Sequence, residues 1–231
     1  MTRAEARAIE SPYGRAVAAG GLAPCHRLML AEVPAGARVL DIGCATGYLG
    51  AQLSRRGCSV TGLERNPASA AAARRHCDEV VEGDIERPAD RERLATEFDA
   101  ILIGDVLEHL VDPWDTLRFV RSLLGPGGVV IASIPNVGAW TVRLGLLAGR
   151  FEYTETGLLD RTHLRFFTRR TAHELVRGAG FVVERESFTP IDDPPPVLRW
   201  AFPAIGHVTK PLRHLWPELL AQQFVLRLRP A

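Results

Sequence analysis

The chain of 231 residues is 46% hydrophobic and 24% charged, with a formal net charge of +1. That balance fits one soluble α/β domain and excludes a global electrostatic pull toward nucleic acid or an anionic membrane surface. No apolar run reaches the roughly 20 residues of a membrane helix, Met1–Glu10 lacks a signal-peptide core, and Cys25, Cys44, Cys58 and Cys77 show no zinc-ligand spacing, so the expectation is a cytoplasmic protein with reduced thiols and no metal.

Residues 1–36 read as a helical lead-in punctuated by Pro12, Gly20-Gly21 and Pro24. Within it, Tyr13 and His26 are positions that can face a substrate, with plain packing as the alternative for each. From Arg38 the pattern alternates. Strands are expected at Val39–Ile42, Ser59–Leu63, Glu79–Glu82, Asp99–Ile103 and Val129–Ile134, with helices at Tyr48–Arg56, Pro67–Cys77, Asp90–Thr96 and Pro113–Leu124. Ala100–Ile103 and Val129–Ile131 are continuously apolar, as strands buried on both faces of a parallel sheet must be. Asp112-Pro113 supplies a cap and a first-turn proline; Gly125-Pro126-Gly127-Gly128 is read as the stop before the next strand.

Residues 136–167 break the rhythm with a helix at Trp140–Leu147 and an aromatic-rich loop from Phe151 to Phe167. Residues 168–231 resume it: Thr168 caps a helix, Phe181–Phe188 is a strand, Asp192–Pro196 a linker, and Gln223–Leu228 alternates as a last strand. The fold expected is a doubly wound, Rossmann-like α/β sheet in a single domain over residues 1–231.

Everything turns on Arg38–Leu49, RVLDIGCATGYL. A buried strand ends near Asp41, small residues follow at Gly43, Ala45 and Gly47, and a helix begins at Tyr48. Small residues let backbone approach a ligand, and the free N–H groups of the turn and first helical turn donate to it. A dinucleotide fingerprint needs a third small residue where Tyr48 stands, and no G-K-[ST] makes a P-loop. Ala45, unlike glycine, is expected to hold a negative φ.

With these residues the stretch resembles the cofactor loop of class I S-adenosylmethionine-dependent methyltransferases. Glu64 follows at the end of the second strand, Asp84-Ile85 after the third, Gly104-Asp105 and the string DVLEHL after the fourth, and G-P-G-G before the fifth. The resemblance implies a mostly parallel seven-stranded sheet with an antiparallel last strand, and S-adenosylmethionine as cofactor. It implies that Asp41, Gly43, Ala45, Gly47 and Tyr48 cradle the cofactor and that Glu64 accepts both ribose hydroxyls. Asp84 and Ile85 would then meet the adenine, and Gly104 and Asp105 the methionine part. Residues 37–135 become the cofactor-binding core, the lead-in a lid, and residues 136–167 an acceptor-side insertion.

Methyl transfer to an alcohol or phenol benefits from a general base. The string Asp160–Thr168, DRTHLRFFT, resembles a motif of a bacterial small-molecule subgroup linked to sugars and secondary metabolites. It brings His163 to the acceptor side, where base and structural roles both remain open; His109, in L-E-H-L, is the second catalytic candidate, with loop-fixing as the favoured alternative. Tyr13, Arg161 and Arg165 are candidate substrate contacts. The arginines suit a carboxylate or phosphate on the acceptor, or else salt bridges to Asp160, Glu152 or Glu155. The reading is O-methylation of a small molecule, with N- or C-methylation, or a non-catalytic cofactor-binding partner protein, as alternatives. No nucleic-acid or membrane partner is expected. The apolar segment Val197–Leu220 can pack on its own domain or on a second copy.

Overall fold

The protein is described by a computed structural model over residues 21–191 and 215–231. Tyr13, the linker Asp192–Pro196 and the apolar segment up to residue 214 lie outside the described residues. Seven strands form one sheet in the order β3-β2-β1-β4-β5-β7-β6. They are β1 Arg38–Ile42, β2 Ser59–Glu64, β3 Glu79–Glu82, β4 Phe98–Gly104, β5 Leu124–Pro135, β6 Phe181–Pro190 and β7 Ala221–Pro230. The first four neighbour pairs are parallel, and β7 runs antiparallel to both β5 and β6. The expected doubly wound sheet with an antiparallel last strand is the one that forms.

Helices cover both faces because the central strands are apolar on both. Leu40, Ile42, Ile101, Ile103 and Val130 pack against α5 Pro113–Ser122 and α7 Arg169–Gly178 through Leu117, Val120, Leu175 and Val176. Their alternate neighbours Val39, Ala100, Leu102 and Ile131 face the other way, onto α1 Pro24–Ala31 and α2 Tyr48–Ser54, through Met29, Leu30, Leu49 and Leu53. Three helices start where a side chain caps them. Asn66 Oδ1 accepts from the amides of Ala68 and Ser69 before α3 Pro67–Ala73, Asp112 accepts from Asp115, and Thr168 from Thr171.

Two local expectations fail. The helix foreseen at Asp90–Thr96 is a single turn, α4 Pro88–Arg91. There the Arg91 Nε–H donates to the Ile85 carbonyl at 2.6 Å, and Glu97, at φ +66°, turns the chain into β4. Nor does G-P-G-G stop the chain short of β5: the strand already begins at Leu124 and runs through those glycines. A Cβ on Gly128 would sit 2.6 Å from the Phe98 carbonyl oxygen, so glycine is what lets this stretch lie against β4. The helix at Trp140–Leu147, α6, forms where expected.

Phe224 is fully buried on β7, opposite Ile134 of β5 and Phe188 of β6. Phe224→Ala is expected to cost about 3–5 kcal/mol of stability in a denaturant titration. A loss below about 1 kcal/mol would contradict the central place of β7 in the core.

Candidate active site

The carboxyl ends of β1, β2 and β4 open into a cavity of about 360 Å³. Its floor is backbone, and its geometry follows from glycine. Gly43 and Gly47 hold φ of +72° and +78°. A Cβ on Gly43 would lie 2.6 Å from a Val106 methyl, and one on Gly47 would lie 2.9 Å from the Ala73 Cα. Ala45 overturns the expected negative φ, since it sits at +49°. Its amide is held there by the Glu64 carboxylate (Oε2, 3.0 Å), while Glu64 Oε1 accepts from the Asn66 amide at 2.7 Å. A left-handed alanine costs about 1–2 kcal/mol, a strain typical of ligand-binding turns.

Of the residues the resemblance pointed to, Gly43, Ala45, Tyr48, Glu64, Asp84, Ile85, Gly104 and Asp105 line this cavity together. Asp41 and Gly47, expected to cradle the cofactor with them, are not in its lining. Asn66, Ser69 and Val106 also line it; Val106 belongs to the DVLEHL string, and Asn66 before Pro67 has the pattern of a helix cap. Asp84 Oδ1 accepts from the Glu86 amide at 3.0 Å. The lining carries three carboxylates, Glu64, Asp84 and Asp105, against one guanidinium, Arg65. Such a wall suits a ligand with a cationic centre and hydroxyl donors, as S-adenosylmethionine has, and repels the diphosphate of a dinucleotide. The residues present therefore fit that cofactor.

Asp105 is the pivot. It holds φ +55° just past β4, and Ser133 of β5 accepts from its amide at 3.0 Å and donates to its Oδ1 at 2.7 Å. Gln223 of β7 donates to the same oxygen. Asp105 and Tyr48 also line a second cavity of about 530 Å³, so the two cavities meet at these residues. Among the described residues its walls include His26 of α1, Glu108, Leu158, His163 and Gln223.

His163 is buried, and its Nδ1–H donates to the Leu158 carbonyl at 3.3 Å. That leaves Nε2 as a lone pair, 4.0 Å from a Glu108 oxygen and thus not hydrogen-bonded to it. Burial, then His109, push the His163 imidazole below its ordinary range. Both Glu108 oxygens are buried without a partner, and burial followed by Asp105 raises this carboxyl well above the usual range. His109 lines the cofactor-side cavity, donates from Nδ1 to the Thr162 carbonyl at 3.1 Å and stacks edge-on to His163.

Arg161 and Arg165 line neither cavity. Arg161 pairs with Glu155 at 2.6 Å; Arg165 donates to the Val111 carbonyl at 2.6 Å and covers the Trp114 ring. His26, expected either to face a substrate or to pack, sits on the buried face of α1 and lines the second cavity. Gln223 carried the one visible signal, a polar residue beside an apolar strand.

Burial, then the Glu64 charge, push the Asp41 carboxyl up to about 7. The native state then holds this proton more tightly than the unfolded chain. Its contribution is full at low pH and declines as pH rises from about 4 toward about 7. Glu108 acts in the same direction. Asp41→Asn should therefore flatten, in part, the fall in denaturation midpoint between about pH 4 and about pH 7; an unchanged slope would remove Asp41 as its source.

Residues 18–186 match the family described as "Methyltransferase domain". Among curated proteins, the ubiquinone biosynthesis O-methyltransferase of Cereibacter sphaeroides (strain KD131) is 32% identical over 150 residues, covering 63% of this chain and 60% of that protein. Its namesake from Ruegeria pomeroyi is 34% identical over 161 residues, covering 67% and 64%. The chain thus spans less than two thirds of the length of either relative. Among solved structures, a TehB-like S-adenosylmethionine-dependent methyltransferase from Corynebacterium glutamicum aligns over 98% of this chain and 99% of its own, with TM-score 0.60 and 18% identity. NcsB1, an O-methyltransferase from neocarzinostatin biosynthesis in complex with S-adenosylmethionine and 2-hydroxy-5-methyl naphthoic acid, aligns over 88% of this chain and 52% of its own. Its TM-score is 0.55 at 17% identity. At such identities the structural likeness speaks for the fold, and the family match covers most of the chain: it belongs to the class I S-adenosylmethionine-dependent methyltransferases.

Proposed function

We propose that the protein methylates an oxygen of a small-molecule acceptor, with His163 as general base. The observation that carries this reading is the meeting of two cavities at Tyr48 and Asp105, with the largely buried His163 imidazole, its Nδ1 tied to the Leu158 carbonyl, in the wall of the larger one. When bound, the cofactor supplies an electrophilic methyl group and a neutral leaving group. Gly43, Ala45, Tyr48, Glu64, Asp84, Ile85, Gly104 and Asp105 would hold it, with Asp41 and Gly47 supporting the loop from behind. The protein's own work is orientation, exclusion of water and removal of one proton.

His163 is suited to that removal. The Leu158 carbonyl fixes its proton on Nδ1, and burial keeps Nε2 unprotonated at neutral pH. Burial pushes the Glu108 carboxyl beside it toward the neutral form, which lessens competing negative charge. We assign His109 the supporting role: it ties the turn after β4 to Thr162, next to His163 in the chain. O-methylation also accords with the names of the curated relatives, which place them in ubiquinone biosynthesis and not in the sugar or secondary-metabolite setting expected from the DRTHLRFFT string. Arg161 and Arg165, the expected contacts for an anionic acceptor, are engaged elsewhere.

Calorimetric titration should show micromolar S-adenosylmethionine binding that weakens at least tenfold in Glu64→Ala, and no comparable binding of NAD. A preference for NAD would sink the cofactor assignment. His163→Ala should cut turnover about 10²-fold or more with cofactor affinity intact. In the wild type, kcat should hold as pH falls through the ordinary histidine range and drop only below it, because the imidazole is pushed down. Unchanged turnover in His163→Ala would take His163 out of the mechanism.

A further inference from the structure

The acceptor-side cavity contains a second histidine that the proposed reaction leaves unused. His26 projects from α1 and is 5% exposed. Its Nε2 lies 3.3 Å from the Tyr48 hydroxyl and 3.8 Å from Asp105 Oδ2. Tyr48 and Asp105 are the residues shared by both cavities, so His26 stands at their junction. A carboxylate can only accept, which favours the proton on the nitrogen facing it. Nδ1 is then a bare lone pair, buried and without a partner. Buried polar atoms are rarely left so, because each costs about 1–3 kcal/mol.

We propose that His26 is an acceptor-binding residue whose Nδ1 takes a hydrogen bond from a hydroxyl or N–H group of the methyl acceptor. The Tyr48 hydroxyl meets the ring at 3.3 Å, the Asp105 carboxylate faces it from 3.8 Å, and Ser133 and Gln223 hold Asp105 in turn. The acceptor class is thereby narrowed to molecules with a polar hydrogen for His26 besides the hydroxyl that gives its proton to His163. This rests on reading the larger cavity as the acceptor site. The neighbouring Cys25 thiol is pushed up to about 12 by burial, so it adds no thiolate to compete for that hydrogen.

The test uses the full chain, labelled with ¹⁵N-histidine and saturated with S-adenosylhomocysteine, titrated with resorcinol and separately with 3-methoxyphenol, which keeps one hydroxyl and lacks the second donor. The expected spectrum has His26 protonated on Nε2, with an Nδ1 resonance that moves with resorcinol and not with 3-methoxyphenol. His26→Ala should weaken resorcinol about fivefold or more and leave 3-methoxyphenol unchanged; His26→Gln should restore part of the difference. A proton on Nδ1, or no resorcinol-dependent shift at His26 up to the solubility limit, would overturn the proposal. Equal losses for the two ligands in His26→Ala would reduce His26 to packing and overturn it too. So would a stoichiometric metal released by His26→Ala, since Cys25, His26 and Asp105 place ligand atoms within 4.8 Å of one another. Absent S-adenosylhomocysteine binding would instead strike the cofactor reading, and the resorcinol titration of the free protein would still decide on His26.

Discussion

One aspartate holds the two halves of the site in register. Asp105 leaves β4 in a left-handed conformation that an ordinary residue adopts only at a cost, and the compensation comes from three other elements. Ser133 on β5 bonds both its amide and its carboxylate, Gln223 reaches it from β7, and His26 faces it from α1. Each of these contacts is remote in sequence, so the pivot exists only once the sheet and the helix above it are assembled. The wall common to both cavities is therefore a product of the tertiary fold and not of the loop that carries the motif.

Charge is handled differently on the two sides of this wall. On the cofactor side, carboxylates are anchored by backbone amides, as Glu64 is by Ala45 and Asn66, and remain able to accept from a ligand. Deeper in, Asp41 and Glu108 are buried with oxygens that no partner meets, and burial drives them toward the neutral form. A site that must accept a cationic ligand thus keeps its negative charge near the surface. Beneath it, acids pushed toward the neutral form lessen the repulsion between close carboxylates in the interior.

Much of this was legible from residue order alone, for reasons that can be named. Continuous apolar runs at Ala100–Ile103 and Val129–Ile131 announce strands covered on both faces, and small residues after β1 announce a ligand turn. Boundaries set by remote contacts were not legible. The short α4 ends where Arg91 is drawn to Ile85 and Asp115, and β5 begins early because glycines let it lie on Phe98. The left-handed Ala45 was misjudged because the bond that holds it comes from Glu64, 19 residues away. For a similar reason the sequence left His26 with two readings open, facing a substrate or packing. It shares α1 with Cys25, Met29 and Leu30, all buried, and nothing local tells a histidine packed among them from one that meets Asp105 across the fold.

The sheet order has a consequence for how the molecule is made. β7 follows every other strand in the chain, yet lies between β5 and β6 and supplies all the ladder bonds that β6 makes. On a ribosome, β6 emerges with no edge to join, and β5 presents an open one until β7 appears. Gln223, the residue that braces Asp105, arrives on that same strand. A nascent chain can thus assemble its parallel core and the floor of the cofactor cavity well before the shared wall is complete. Closure of the sheet and completion of the site are one event.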